Sequence, residues 1–387
     1  MLKKFSLLML LCLVLFFFCG CAADRPASGS DDASGSGDTR KIIDLADREI
    51  VIPVYPSRIA AMTGPSYEMV FMLGGHDRIV MTKSGHTTNY PLALLTNPDL
   101  ANYEGIGANP SSAVNIEEYL RRDIDLVIYY NNDNELKKFE AVNLPAVVLT
   151  LNINPLDTVE DVMTQTLDEY IDASTRAVRT LADILGGDAV AEAETWVKYC
   201  HDKITMLYER THQLTDEQRP TVFWGNTWGE NILASYPLNN RYYEIWLCGG
   251  KLVGPGAGTG NFPEVTREQL FEWDPDIILV DNHGNYPELV IEHMYKDDSI
   301  WSSLSAVKNK QLHRIPAGVF FLDKGTTTTL MMLWLATITQ PELFGDIDVK
   351  EEIKYYYREF YEFELTDEQA QKVIDGWYER VGDEPDL

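Results

Sequence analysis

Aromatic residues, amides and a few cations stand immediately after the apolar, β-branched stretches of this sequence. Lys83 and His86 follow Ile79 and Val80; Tyr130, Asn131 and Asn132 follow Leu126–Tyr129; Asp281, Asn282 and His283 follow Ile277–Val280. Trp224, Asn226 and Trp228 trail Val222, and Phe320, Phe321 and Asp323 trail Ile315. Aromatic faces stack on planar groups and amides fix orientation, so the chemistry on offer is recognition of a small molecule. Arg241 and Lys324 join Lys83 as the cations available to an anionic ligand, a small number that tilts the reading toward a neutral or aromatic-rich one.

Bond-making chemistry finds less support. His86 and His283 could ligate a metal, but no HExxH run or paired Cys/His spacing supports a protein-held metal. The glycine run from Gly254 to Gly260 lacks the Lys-Ser/Thr ending of a phosphate loop and reads as a cleft-edge loop presenting Phe262. No Gly-x-Ser-x-Gly elbow or other catalytic constellation is present, so no catalytic residue and no cofactor is assigned.

An internal repeat positions these side chains. Residues 115–128, with Glu117 and Asp125, have a counterpart in 266–279, with Glu268 and Asp276 at the same separation. Asn131 aligns with Asn282 beyond the two apolar segments, and Gly74-Gly75 precedes one copy as Gly249-Gly250 precedes the other. Each copy reads as a Glu-led helix, an Asp turn and a buried strand. A repeat at this spacing implies two similar lobes with a cleft between them, where ligand should sit.

Strands alternating with helices predict α/β lobes with mostly parallel sheets. Residues 159–185 read as a helix stopped by Gly186-Gly187, after which Asp188 is placed to cap a second long helix. Val190, Ala193, Val197, Cys200, Ile204 and Leu207 recur at steps of three and four, giving that helix one buried stripe. Further helices are expected over 326–339 and 353–377.

Lys3 and Lys4 ahead of the apolar run 7–18 read as an export signal, too short for an ordinary membrane span. The run ends in Phe18-Cys19-Gly20-Cys21, which resembles a bacterial lipobox with Cys21 as the lipidated residue. The Ser/Gly-rich stretch 27–39 reads as a flexible tether. A net charge of −28, from 60 acidic and 32 basic residues, argues against nucleic acid as a partner. Cys200 and Cys248 could pair in an oxidising compartment, but read more readily as two buried free thiols. The expected layout is signal 1–20, lipidated tether 21–40, N-terminal lobe 41–187, bridging helix 188–215 and C-terminal lobe 216–387.

Taken in order behind the lipobox, Arg58-Ile59, Tyr67-Glu68, Leu73-Gly74-Gly75, the two Glu-led motifs, residues 301–309 and Pro341-Glu342-Leu343-Phe344 resemble the iron-complex (siderophore, haem and cobalamin) family of ABC-transporter substrate-binding proteins. The resemblance implies two Rossmann-like lobes of a periplasmic-binding-protein type, joined by a single long rigid helix that matches the one from Asp188. It implies a monomeric, membrane-anchored extracytoplasmic receptor, not an enzyme. The ligand would be a metal complex delivered to a permease and its ATPase. Glu117 and Glu268 match the family's permease-docking glutamates, although each could also simply favour its own helix N-terminus. The cleft set is Lys83, His86, Tyr130, Asn131, Trp228, Arg241, Phe262, His283 and Phe321. A molybdate-type oxyanion, carried by some relatives, and a surface-anchored hydrolase or sensor on the same fold are the alternatives.

Overall fold

Two-residue periodicity decides which side of each sheet a residue serves. The computed structural model describes residues 38–83, 89–106, 113–149, 159–228, 231–234, 239–254, 263–281, 291–296 and 299–379. The described residues from Thr39 onward form one compact unit. That unit opens with a hairpin of β1 (Thr39–Ile43) and β2 (Glu49–Pro53), then runs β3 (Ile59–Ala61), α1 (Ser66–Met72), β4 (Ile79–Lys83), α2 (Pro91–Thr96), β5 (Glu104–Ile106), α3 (Ile116–Arg121), β6 (Leu126–Tyr129), α4 (Asp133–Ala141) and β7 (Ala146–Val148). Helices α5 (Val159–Thr164), α6 (Leu167–Leu185) and α7 (Ala189–Thr211) lead to the second lobe. It comprises β8 (Thr221–Trp228), β9 (Asn231–Ala234), α8 (Asn239–Leu247), β10 (Lys251–Leu252), β11 (Glu264–Val265), α9 (Arg267–Trp273), β12 (Ile277–Val280), α10 (Ile291–Met294), α11 (Ser305–Lys308), β13 (Leu312–Arg314), α12 (Thr328–Thr339), α13 (Val349–Tyr361) and α14 (Asp367–Ile374).

Among the described residues, the first sheet is parallel throughout in the order β5-β4-β3-β6-β7. The second runs β11-β9-β8-β12-β13, with β10 and β12 parallel to β8 and β9 antiparallel to it. Ile59, Ala61, Leu126 and Ile128 face a core shared with Val222, Trp224, Ile277 and Leu279 of the second sheet. The alternate residues Ala60, Val127 and Tyr129 pack a separate outer cluster, as Phe223, Ile278 and Val280 do in lobe two. Each strand is therefore buried on both faces, which is why these segments read as unbroken apolar runs.

The repeat is real in three dimensions. Asp125 Oδ2 accepts the Ser57 N–H at 2.8 Å and its hydroxyl at 2.9 Å, tying the start of β6 to that of β3. Asp276 Oδ2 accepts the Thr221 N–H and hydroxyl, both at 2.8 Å, tying β12 to β8. Gly74 (φ 71°) and Gly249 (φ 81°) end α1 and α8 in the left-handed region, where a side chain is strained. The following N–H groups of Gly75 and Gly250 then reach back to the carbonyls of Val70 and Ile245, at 2.9 Å each.

Several expectations change. Thr39 and Arg40, assigned to the tether and its boundary at 40, pair in β1 with Pro53 and Ile52. The stretch 159–185 is two helices, because Thr166 and Glu169 form a capping box that starts α6 anew. Asp188 gives α7 no side-chain cap; it already has helical dihedrals, after two glycines at positive φ. Of the expected stripe on α7, Val190 is exposed, while Ala193, Val197, Cys200, Ile204 and Leu207 are buried. Trp196 and Tyr199 widen the buried face, and α7 ends at Thr211. The segment 353–377 divides into α13 and α14.

Candidate functional site

Strand carboxyl ends present the candidate residues, as expected for parallel α/β sheets. Lys83 closes β4 and is half-buried. Asn131 is exposed beyond β6, while Asn132 is consumed as the cap of α4, its Oδ1 accepting the N–H groups of Asn134 and Glu135 at 3.1 and 3.3 Å. Tyr130 is only 8 % exposed and lies edge-on to Tyr129 within the outer cluster of lobe one. Trp228 ends β8. His86, Phe262 and His283 lie outside the described residues.

In lobe two the structure gathers Arg241, Asp281, Phe321, Asp323 and Lys324, and adds Glu244. Arg241 sits at the start of α8, 6 % exposed. One of its terminal nitrogens donates to Glu244 Oε2 at 2.5 Å; the other donates to Asp323 Oδ2 at 2.9 Å and to the Asp323 carbonyl at 2.6 Å. Its guanidinium lies 4.4 Å from the centre of the Trp224 ring, and Trp224 is itself in the core. Burial works against the guanidinium charge, but Glu244 and Asp323 outweigh it and hold its pKa above the ordinary value. Lys324 lies 3.8 Å from both Asp281 and Asp323, a Coulombic approach longer than a hydrogen bond. Three buried carboxylates therefore stand around two cations.

Phe321, placed in the cleft by position after β13, is fully buried. Its ring is edge-on to Tyr90 and Phe320, and Lys324 lies 5.1 Å above it. Tyr90, just before α2, brings lobe one to this corner, packing against Phe320 and Tyr378 as well. Glu68 on α1 completes the junction: it is wholly buried and accepts the Thr326 N–H at 2.8 Å. Burial pushes the Glu68 carboxyl up to about 8 despite that hydrogen bond. Glu244 was visible in the sequence as the i+3 partner of Arg241 on one helix. Glu68, Tyr90 and Asp323 come together only through the tertiary fold.

Glu117 and Glu268 occupy the first turns of α3 and α9, and both are exposed. Neither has a hydrogen-bond or ion-pair partner among the described residues, whereas the adjacent Glu118 is held by Arg121 and Arg122. An open groove of about 710 Å³ between α7 and α13 lies away from these candidates. Its charges are largely spent on the pairs Lys203–Glu352 and Arg210–Asp346. No group of His, Cys, Asp and Glu side chains among the described residues could hold a metal ion, and no described helix is long and apolar enough to cross a membrane.

Known proteins share this architecture. Molybdate-binding protein MolA of Haemophilus influenzae is 24 % identical over 352 residues, covering 86 % of this chain and 94 % of MolA. The structure of MolA bound to molybdate superposes with a TM-score of 0.69 at 22 % identity, covering 84 % of this chain and 99 % of that one. A periplasmic solute binding protein of Veillonella parvula gives a TM-score of 0.68 at 24 % identity, over 87 % and 97 % of the two chains. Helicobacter pylori CeuE with Ni(II) bound gives 0.65 at 18 % identity, over 87 % and 99 %. The periplasmic binding protein family model matches residues 59–318. The two α/β lobes, the long α7 and this match agree: the chain belongs to the periplasmic binding protein family, substrate-binding proteins of ABC transporters that act outside the cytoplasm.

Proposed function

We propose that this substrate-binding protein captures a neutral or aromatic-rich metal complex, such as haem, a corrinoid or an uncharged siderophore complex, in the cleft between its lobes. The state of Arg241 carries this reading. A small oxyanion needs cationic donors not already committed elsewhere. Both terminal nitrogens of Arg241 are instead engaged by Glu244 and Asp323, and Lys324 stands between Asp323 and Asp281. An aromatic-rich chelate makes less demand on free cations. Lys83, Asn131 and Trp228, with His86, Phe262 and His283, are proposed as its contacts.

The second reading is an oxyanion ligand, favoured by the similarity to MolA. Native mass spectrometry against haem, corrinoids, ferric siderophores, molybdate and tungstate separates the two. Retention of a chelate supports the first reading, and selective retention of molybdate or tungstate sinks it.

Glu117 and Glu268 are proposed to dock on permease arginines, because both carboxylates are exposed and uncommitted among the described residues. Replacing both with Ala should lower uptake while leaving ligand affinity intact; unchanged uptake removes the assignment. Cys21 is proposed as the lipid anchor. Cys21→Ala should move the protein from the membrane fraction to the soluble one, and retention through a high-salt wash would refute this.

A further inference from the structure

Each lobe offers a glycine that the other lobe fills. A Cβ on Gly64, between β3 and α1, would stand 2.5 Å from the Phe320 ring of lobe two. A Cβ on Gly325 of lobe two, at φ +71°, would overlap the Glu68 carboxylate of lobe one. The two contacts bracket the segment 320–325, which carries Asp323 and Lys324. Just beyond it, one residue is held from three directions. The Thr326 N–H donates to Glu68 on α1, and its carbonyl accepts from Trp196 Nε1 on α7 at 3.2 Å and from the Tyr356 hydroxyl on α13 at 2.9 Å.

Glu68 is an unusual choice for this place. The titratable groups facing it are Asp323 from the clasped segment, Tyr90 from the start of α2, and Tyr356, Tyr357 and Tyr361 from α13. None of these is a cation. Its Oε2 has no hydrogen-bond partner among the described residues. A buried carboxylate without a countercharge is costly, whereas a neutral carboxyl that accepts one backbone N–H is tolerable.

We infer that Glu68 is a positioning residue: its uncharged carboxyl seats the 320–326 segment, with Asp323 and Lys324, against lobe one, and loss of its proton unseats that segment. The link to ligand rests on the proposal that this segment borders the cleft; the clasp itself does not. Burial raises the carboxyl to about 8, and burial also raises the four facing tyrosines, which stay neutral below pH 9. A raised folded-state value means that Glu68's contribution is complete below the ordinary carboxyl range and lost as pH rises through about 8.

Hydrogen exchange on the full chain, read by mass spectrometry between pH 6 and 9 and corrected for intrinsic rates, tests the inference without any ligand. Protection of peptides covering 318–330 should fall about tenfold per pH unit from pH 6 and level off near pH 8, roughly a hundredfold in all. Peptides over β6 and β7 should show no such fall. Glu68→Gln, neutral at every pH, should keep the protection up to pH 9, and Glu68→Ala should lack it throughout. A flat wild-type profile overturns the inference, as does a Gln variant that follows the wild-type course. Should the Gln variant fail to fold, the wild-type profile alone decides. The outcome is independent of the ligand screen, so the clasp can stand while the chelate reading falls, and the reverse.

Discussion

Asp125 and Asp276 do the same job in two lobes: each carboxylate accepts both the N–H and the hydroxyl of the Ser or Thr that opens the neighbouring central strand. Asp125 also accepts the Arg58 N–H at 3.0 Å. The Asp of each copy thus serves one device, which registers a strand against its neighbour.

Asp125→Ala and Asp276→Ala should each destabilise the protein by about 1–3 kcal/mol, the scale of hydrogen bonds to a charged group. Urea denaturation measures this. Because the two sites belong to different sheets, their effects should add in the double variant. A loss confined to one site would mean that the repeat is only a sequence likeness.

Removing Arg241 should be costly for a reason unrelated to ligand. Arg241→Ala leaves Glu244 and Asp323 buried beside each other, with an expected loss of roughly 3–5 kcal/mol. Adding Glu244→Gln and Asp323→Asn to Arg241→Met should recover much of it, since no charge is then stranded. Thermal denaturation of the single and triple variants distinguishes a charge cage from simple packing.

Tyr130→Ala should lower stability by about 2–4 kcal/mol, as expected for emptying a buried aromatic site. From its place after β6 alone, Tyr130 could have been truncated with little cost to the fold. Its burial against Tyr129 in the outer cluster reverses that expectation. Calorimetric melting of the variant is the check.

Cys200 and Cys248 should be silent to thiol reagents in the native state up to pH 9 and react only in denaturant. Both are buried and free. Burial pushes the Cys200 thiol up to about 12, and burial with the nearby Glu244 pushes Cys248 well above its ordinary value, so neither supplies thiolate. Labelling of the folded protein at pH 8 would show that one of them is reachable.

The sequence was most legible where the determinant is local. Unbroken apolar runs marked the inner strands β4, β6, β8 and β12, whereas the short edge strands β5 and β11 carry no such run. The capping box at Thr166 was also present in the sequence, but an apolar pattern continuing past it concealed the break between α5 and α6. The hairpin at Thr39 was hidden because its first strand directly follows a Ser/Gly-rich stretch, and its anchor is remote. Asp44 accepts the Val148 N–H at 3.0 Å across 104 residues. For the candidate site, position after a strand pointed to Asp281 and Asp323, and Lys324 entered only as an available cation. Position could not show that Phe321 is enclosed by Tyr90 and Tyr378, or that Arg241 is already satisfied by a carboxylate 82 residues away. Neighbours supplied by distant segments leave no local pattern to read.

The inner faces of both sheets, α7 and the C-terminal helices share a single apolar cluster running from Ile42 to Val373. Its consequence is cooperativity: the lobes should melt in one transition, because neither retains a complete interior once the other is gone. They are not exchangeable modules, so a hybrid joining one lobe to its counterpart from a relative would have to rebuild the shared interior before its binding properties could be compared.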